Sequence, residues 1–212
     1  MKSRSKAGLV GAIFSGAILL MPSVLQAEPS THTIDAKASK LEWTGKKVVG
    51  SAHNGTIGVK EGQVKIDGDK LVAGELAVDM KSIVNLDLTD AKFNKKLVTH
   101  LSSDDFFDVQ KYPTSKLVIK EGVKGKDGKF TATADLTIKD VTNPVKFVAD
   151  VAEGANGKKT VTVDLTVDRT LWNVRYGSGK FFQGLGDKMI SDEFTLKATI
   201  VLNTTPAKTA QK

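Results

Sequence analysis

The sequence predicts a mainly β protein, an eight-stranded antiparallel barrel with a short helix near one end. Three observations predict it. Apolar residues recur at every second position through most of the chain, the pattern of strands with one buried face. The intervals between these runs are short and carry Gly, Asn, Asp and Pro, so neighbouring strands are joined by tight turns and run antiparallel. One segment alone switches to a spacing of four. About eight strands sharing a single inner face are best satisfied by a closed barrel, which leaves no strand edge exposed.

Residues 1–27 read as a secretory signal peptide. Lys2, Arg4 and Lys6 precede an apolar run from about Ala7 to Leu20, and Leu25-Gln26-Ala27 ends on a small residue suited to cleavage. The run is broken by glycines and a serine and is short for a bilayer crossing. Residues 28–203 form the expected barrel domain, and residues 204–212 a polar tail with Pro206, alanines and lysines. No second long apolar segment follows, so no stable membrane span is expected after cleavage. The leader carries three cations, so the formal charge falls from +7 to about +4 on its removal. The remaining lysines are scattered between apolar strand positions and lack the clustering and aromatic platforms of a nucleic-acid module. With no cysteine in the chain, disulfides, thiolate metal sites and a lipid-modified N-terminal cysteine are excluded.

The elements follow in order. Leu41 and Trp43 alternate with Lys40, Glu42 and Thr44; His53, Gly55, Ile57 and Val59 form a second series, and Val64 and Ile66 a third. Leu76, Val78 and Met80 come next, then Leu117 with Ile119, and Phe130 through Ile138 on even positions. Val145 to Val151, Val161 to Val167, and Ile190 to Leu202 complete the set. Turns are expected at Lys60-Glu61-Gly62, Asp67-Gly68-Asp69, Lys126 to Lys129, Thr142-Asn143-Pro144 and Gly154 to Gly157. Between Asp90 and Leu101, Phe93, Leu97 and Leu101 mark one face of a short amphipathic helix, with Thr89 or Asp87 as its cap.

The chemistry-bearing residues are few. Three histidines, His32, His53 and His100, have no local ligand spacing, so no metal site is expected. G-x-S-x-G does not occur, Asp67-Gly68-Asp69 is too short for a calcium loop, and Gly177-Ser178-Gly179 misses the dinucleotide spacing. Asp104, Asp105 and Asp108 read as turn residues after the helix rather than as a carboxylate site. No cofactor is implied. Small inward residues such as Gly55, Ala132, Ala134, Ala149 and Ala198 fit a cavity and fit a tight taper equally well.

The Ser102–Thr114 segment contains S-x-D-F-F-D-x-x-K-Y-P-T, and it resembles the central motif of the YceI-like polyisoprenoid-binding family. His32 to Asp35, Leu41 to Trp43, His53-Asn54-Gly55-Thr56, Leu136 to Val145 and Asp168 to Gly177 resemble further family segments in the same order. Asp140, Thr56 and the Trp172–Tyr176 run depart from the commoner pattern. The resemblance covers about residues 31 to 203. It implies a periplasmic lipocalin-like barrel that binds a long isoprenoid or acyl lipid such as a quinone, a polyprenyl phosphate or a fatty-acid derivative. Storage, transport or stress protection is the implied role, and no catalytic residue is implied.

The expected lumen residues are Trp43, Ile57, Phe93, Leu97, Phe106, Phe107, Phe147, Leu165, Trp172, Tyr176 and Phe194, all of which serve equally as ordinary core. His53, Asn54, Arg175 and Arg169 are the expected head-group contacts, although an ion pair with an aspartate is the better role for Arg169. Two alternatives stay open: a lipid-acting hydrolase or isomerase using His53 or His100, and a filled barrel that binds an envelope partner. Homodimerisation is also left open.

Overall fold

The structure is a computed structural model that describes residues 29–154 and 158–204. The expected signal peptide, the polar tail beyond residue 204 and three residues of the expected Gly154–Gly157 turn lie outside the described residues.

Nine strands build eight staves. They are β1 (Ser30–Ile34), β2 (Lys40–Lys47), β3 (Ala52–Asp67), β4 (Lys70–Asn85), β5 (Thr114–Lys124), β6 (Phe130–Ile138), β7 (Val141–Glu153), β8 (Lys159–Asp168) and β9 (Ile190–Thr204), with helix α1 (Ala91–Ser102) between β4 and β5. From β2 to β9 each strand pairs antiparallel with the next, and β9 pairs back onto β2, so the ring closes. The stave between β3 and β9 is made in two pieces: β1 pairs with their far ends and β2 with their near ends. The break between the two is patched by Ser39, whose Oγ donates to the Asp35 carbonyl at 2.7 Å and accepts from the Val201 N–H at 3.0 Å.

Three local expectations are corrected. Lys60-Glu61-Gly62 is no turn: β3 runs through it, and the register against β4 shifts between Val59 and Glu61 as at a β-bulge. The second and third expected strands are therefore one sixteen-residue strand. Thr142-Asn143-Pro144 lies inside β7, with Pro144 opposite Asp135. The turn falls instead at Lys139-Asp140, where Lys139 takes a left-handed φ of 57°. The helix starts where expected, but its cap is Asp90, whose Oδ1 accepts from the Lys92 and Phe93 N–H groups at 2.8 and 3.1 Å. Asp87 is committed elsewhere, as described below.

Packing is uneven along the barrel axis. Leu71, Phe130, Ala132, Ala134, Phe147 and Ala149 form one tight cluster. The small residues there accommodate two phenylalanines, so at this end they serve the taper. A second cluster, with Leu41, Ile57, Met80, Ile83 and Val109, lies on the β2–β4 side. Helix α1 packs against β4 and buries none of its residues, although Phe93, Leu97 and Leu101 form an apolar stripe along it. Leu101 packs against the second cluster, and all three stripe residues line the hollow beneath the helix.

Trp43 and Gly55 sit directly opposite each other on β2 and β3. A Cβ at Gly55 would meet the Val84 carbonyl oxygen and approach the Trp43 ring to 2.6 Å. Gly45, two residues along β2 from Trp43, has open space at the same position. Gly55→Ala is therefore expected to cost about 1–3 kcal/mol by overpacking, and Gly45→Ala close to nothing; urea unfolding of the two variants measures the difference.

Candidate functional site

Above the tight cluster the barrel is hollow. A chamber of about 800 Å³ lies between the inner faces of β2 to β4, the start of β9 and the underside of α1. A smaller one of about 150 Å³ lies toward the opposite end, and Leu41, Val78, Ser115, Leu136 and Leu196 line both. The larger volume is that of a small-molecule site. Exposed Lys46, Ser51, Phe93 and Lys96 are also lining residues, so the chamber opens to solvent where they meet.

The structure brings most of the expected lumen residues together. Trp43 and Ile57 contribute from β2 and β3, Phe93 and Leu97 from α1, and Phe106 and Phe107 from the segment after it. Tyr176 and Phe194 complete the wall of the larger chamber. Phe147 and Leu165 line the smaller one. Trp172 lines neither: it is 2 % exposed, packs with Leu136, Ile138 and Val167, and donates its indole N–H to the Leu136 carbonyl at 2.9 Å. It is a structural residue of the barrel wall.

The expected head-group contacts separate further. His53 lines the chamber, and its Nδ1 is 2.8 Å from Asp87 Oδ2. Because the ionised carboxylate only accepts, Nδ1 carries the proton and Nε2 is left for the chamber side. Asn54 is the next residue on β3 and so points the other way; it is exposed, and its backbone N–H donates to Asp87 Oδ1 at 2.8 Å. Arg175 lies outside the lining, stacked over Phe181 at 4.6 Å and donating to Asn173 Oδ1 at 2.9 Å. Arg169 does line the chamber, but it is 4 % exposed and its nitrogens donate to the carbonyls of Ser191, Val174 and Ile190 at 2.9, 2.7 and 3.3 Å. Burial lowers its pKa, opposed by the charges of Asp192 and Asp168. Its role is to fasten the long β8–β9 connection to the start of β9.

His100, one of the two candidate acid/base groups, also lines the chamber. Its Nε2 is 3.0 Å from Asp105 Oδ2, and its ring meets Phe106 and Tyr176 edge-on at 4.9 and 4.7 Å. Among the lining residues that escaped the sequence reading are four lysines, Lys46, Lys47, Lys96 and Lys188, together with Ser51, Ile83, Leu88 and Ser115. The lysines come from β2, α1 and the turn before β9, and only the closed barrel makes them neighbours of one chamber. Among the described residues no group of three or more potential metal ligands converges, and no helix is long and apolar enough to cross a membrane.

The model of the YceI-like domain matches residues 32–202. This chain belongs to the YceI-like family. A UPF0312 protein of Pseudomonas putida strain F1 is 32% identical over 140 residues, 65% of this chain and 69% of that protein. A second, from Pseudomonas putida strain W619, is 34% identical over 142 residues with the same coverage of both chains. Among solved structures, BcnA of Burkholderia cenocepacia superposes with a TM-score of 0.63 at 24% identity, covering 79% of this chain and 98% of that one. A polyisoprenoid-binding domain from Saccharophagus degradans gives 0.61 at 13% identity, covering 82% and 98%. At these identities the structural likenesses establish the fold.

In this YceI-like domain the Ser102–Thr114 motif is a junction. Ser103 ends α1, its N–H and Oγ both donating to the His100 carbonyl at 3.1 and 2.8 Å. The Phe106 and Asp108 N–H groups then return to the Ser103 carbonyl at 3.1 and 2.8 Å, with Asp108 in a left-handed conformation at φ 45°. This tight fold-back buries Phe106 and turns Phe107 toward Phe194, ring centres 6.5 Å apart. The Met80 N–H donates to the Pro113 carbonyl at 3.0 Å, which anchors the start of β5 on β4.

Asp87 anchors the other end of α1. Besides His53 and the Asn54 N–H, it accepts from the Asn85 side chain, and Asn85 accepts from the Leu88 N–H at 3.0 Å. Burial raises the Asp87 pKa, but hydrogen bonds from Asn54, His53 and Asn85 and the His53 charge more than offset it, so the value is lowered. A lowered carboxylate adds stability that is complete above the unfolded value near pH 4 and is lost as pH falls through the folded one. Asp87→Ala is expected to cost about 1–3 kcal/mol at pH 7 through its unpaired donors. The cost should shrink below about pH 4, and chemical denaturation at both pH values measures it.

Proposed function

We propose that this protein is a binding protein that encloses one long isoprenoid or similar apolar lipid in its barrel. The observation that carries the reading is the 800 Å³ chamber, roofed by a helix whose apolar stripe buries no residue. A fold that leaves Phe93 59% exposed and Leu97 and Leu101 only half-covered above an apolar hollow gains by filling it. Each methylene moved from water into such a site contributes about 0.8 kcal/mol, so a flexible chain binds firmly with few directional contacts. Membership of the YceI-like family supports this, as does the likeness to the polyisoprenoid-binding domain of Saccharophagus degradans. Quinones, polyprenyl phosphates and fatty-acid derivatives all have suitable tails.

The proposed setting is the periplasm, reached through the N-terminal signal, and the proposed role is storage, transport or protection of the lipid under stress. Binding rather than turnover is proposed because the chamber wall is mostly apolar side chains, with His53 and His100 at its rim placed to meet a head group.

The test is solvent extraction of the purified full-length protein followed by mass spectrometry. One apolar ligand is expected to co-purify, or an added prenyl lipid to bind at one per chain. Val78 lines both chambers, so Val78→Trp is expected to lower lipid content several-fold without loss of fold. Empty wild-type protein that also fails to bind added prenyl lipids overturns the reading.

A further inference from the structure

The mouth of the chamber is more selective than its interior. Lys46, Lys47, Lys96 and Lys188 all line it, and no aspartate or glutamate does. Some barrel lysines are matched to carboxylates, as Lys40 is with Glu42, Lys120 with Asp135 and Lys159 with Glu153, at 2.7, 2.7 and 2.6 Å; what distinguishes the four at the chamber is that they line one cavity. Among the described residues the four lining lysines form no ion pair with a carboxylate within 4.0 Å. The charge of the lining is therefore one-sided, and the two rim carboxylates, Asp87 and Asp105, are engaged by His53 and His100.

The topology makes this a single patch rather than four stray charges. Lys47 pairs with Ile190, the residue that opens β9 two positions after Lys188, and the Val48 N–H donates to the Met189 carbonyl at 2.9 Å. Lys46 is next on β2, and Lys96 stands on α1, across the same opening. Two polar groups lie just inside. His53 turns its Nε2 to the chamber, and the buried indole N–H of Trp43 has no acceptor among the described residues. Four lysines on the lining of one mostly apolar cavity give it a positive field that attracts an anion at its opening.

We infer that the mouth is a receptor for an anionic head group, so that the ligand is an amphiphile with one long apolar chain and a terminal phosphate or carboxylate, rather than a neutral quinone or alcohol. This rests on the lipid-binding reading above. The chain fills the hollow and supplies most of the affinity; the lysines hold the anion at the surface and fix which end enters first.

The experiment compares geranylgeranyl monophosphate with geranylgeraniol, two probes of identical tail, on delipidated full-length protein. Binding is followed by the fluorescence of Trp43, which lines the chamber, and by calorimetry. Exposed charge pairs each contribute a few tenths of a kcal/mol to about one, so the phosphate is expected to bind about tenfold tighter at low salt. That advantage should shrink as NaCl is raised. In the variant combining Lys46→Gln, Lys47→Gln, Lys96→Gln and Lys188→Gln the preference for the phosphate over the alcohol should disappear, with the thermal midpoint unchanged. Equal affinities for the two probes in wild-type protein overturn this inference and leave the lipid-binding reading standing. Failure of both probes to bind overturns both. Inorganic phosphate binding alone as tightly as the prenyl phosphate assigns the lysines to a free anion, and likewise overturns it.

Discussion

Closure of the barrel through the β3–β4 pairing is the constraint on which the rest depends. These are the two longest strands, sixteen residues each, and without their union the sheet would be an open meander with two exposed edges. The pairing is made possible by local irregularity. Its register shifts between Thr56 and Gly58, where Ser82 substitutes for the missing ladder partner: its Oγ accepts from the Gly58 N–H and donates to the Asp79 carbonyl, both at 2.6 Å. Bulges of this kind bend a strand and increase its twist, which is what a small closed barrel demands of its staves.

Closure makes one face of every strand an interior, and side-chain volume then decides how much of that interior is filled. At one end Phe130, Phe147 and Leu71 meet small alanines and leave only the smaller chamber of about 150 Å³. At the other, Trp43 and Phe194 stand against the wall, and helix α1 bridges the opening with only Leu101 packed on a core cluster and no residue fully buried. The helix is held at its ends. Asp90 caps its start, the Asp87–Asn85–Asn94 network ties that start to β4, and the Ser103 turn locks its finish. A roof secured at its termini can keep its apolar stripe turned to an unfilled space, which a helix held by its own packing could not.

Much of the fold was legible in the sequence because barrel strands have a period of two and the helix a period near four, and Phe93, Leu97 and Leu101 stand out against their lysine neighbours. What escaped was what periodicity does not encode. Lys60-Glu61-Gly62 carries turn-like composition yet is a bulge, because the surrounding alternation continues on both sides of it. Thr142-Asn143-Pro144 looks like a turn, but Lys139-Asp140 reverses the chain first. In the site, the aromatic residues were legible as inward apolar positions, whereas Trp172 has the same chemistry and serves the wall. The mouth lysines were individually unremarkable surface residues. Only the return of β9 beside β2 places Lys188 with Lys46 and Lys47, a relation separated by most of the chain.

The central claim is that the hollow above the tight cluster is a tunnel for a chain, with affinity supplied by buried methylenes. The most direct measurement is the affinity of delipidated protein for linear prenols of increasing length. The account predicts that binding tightens with each added isoprene unit, since roughly 0.8 kcal/mol accrues per buried methylene, and then levels off once the chambers are full. Affinity that does not change with chain length from the shortest prenol onward would contradict it.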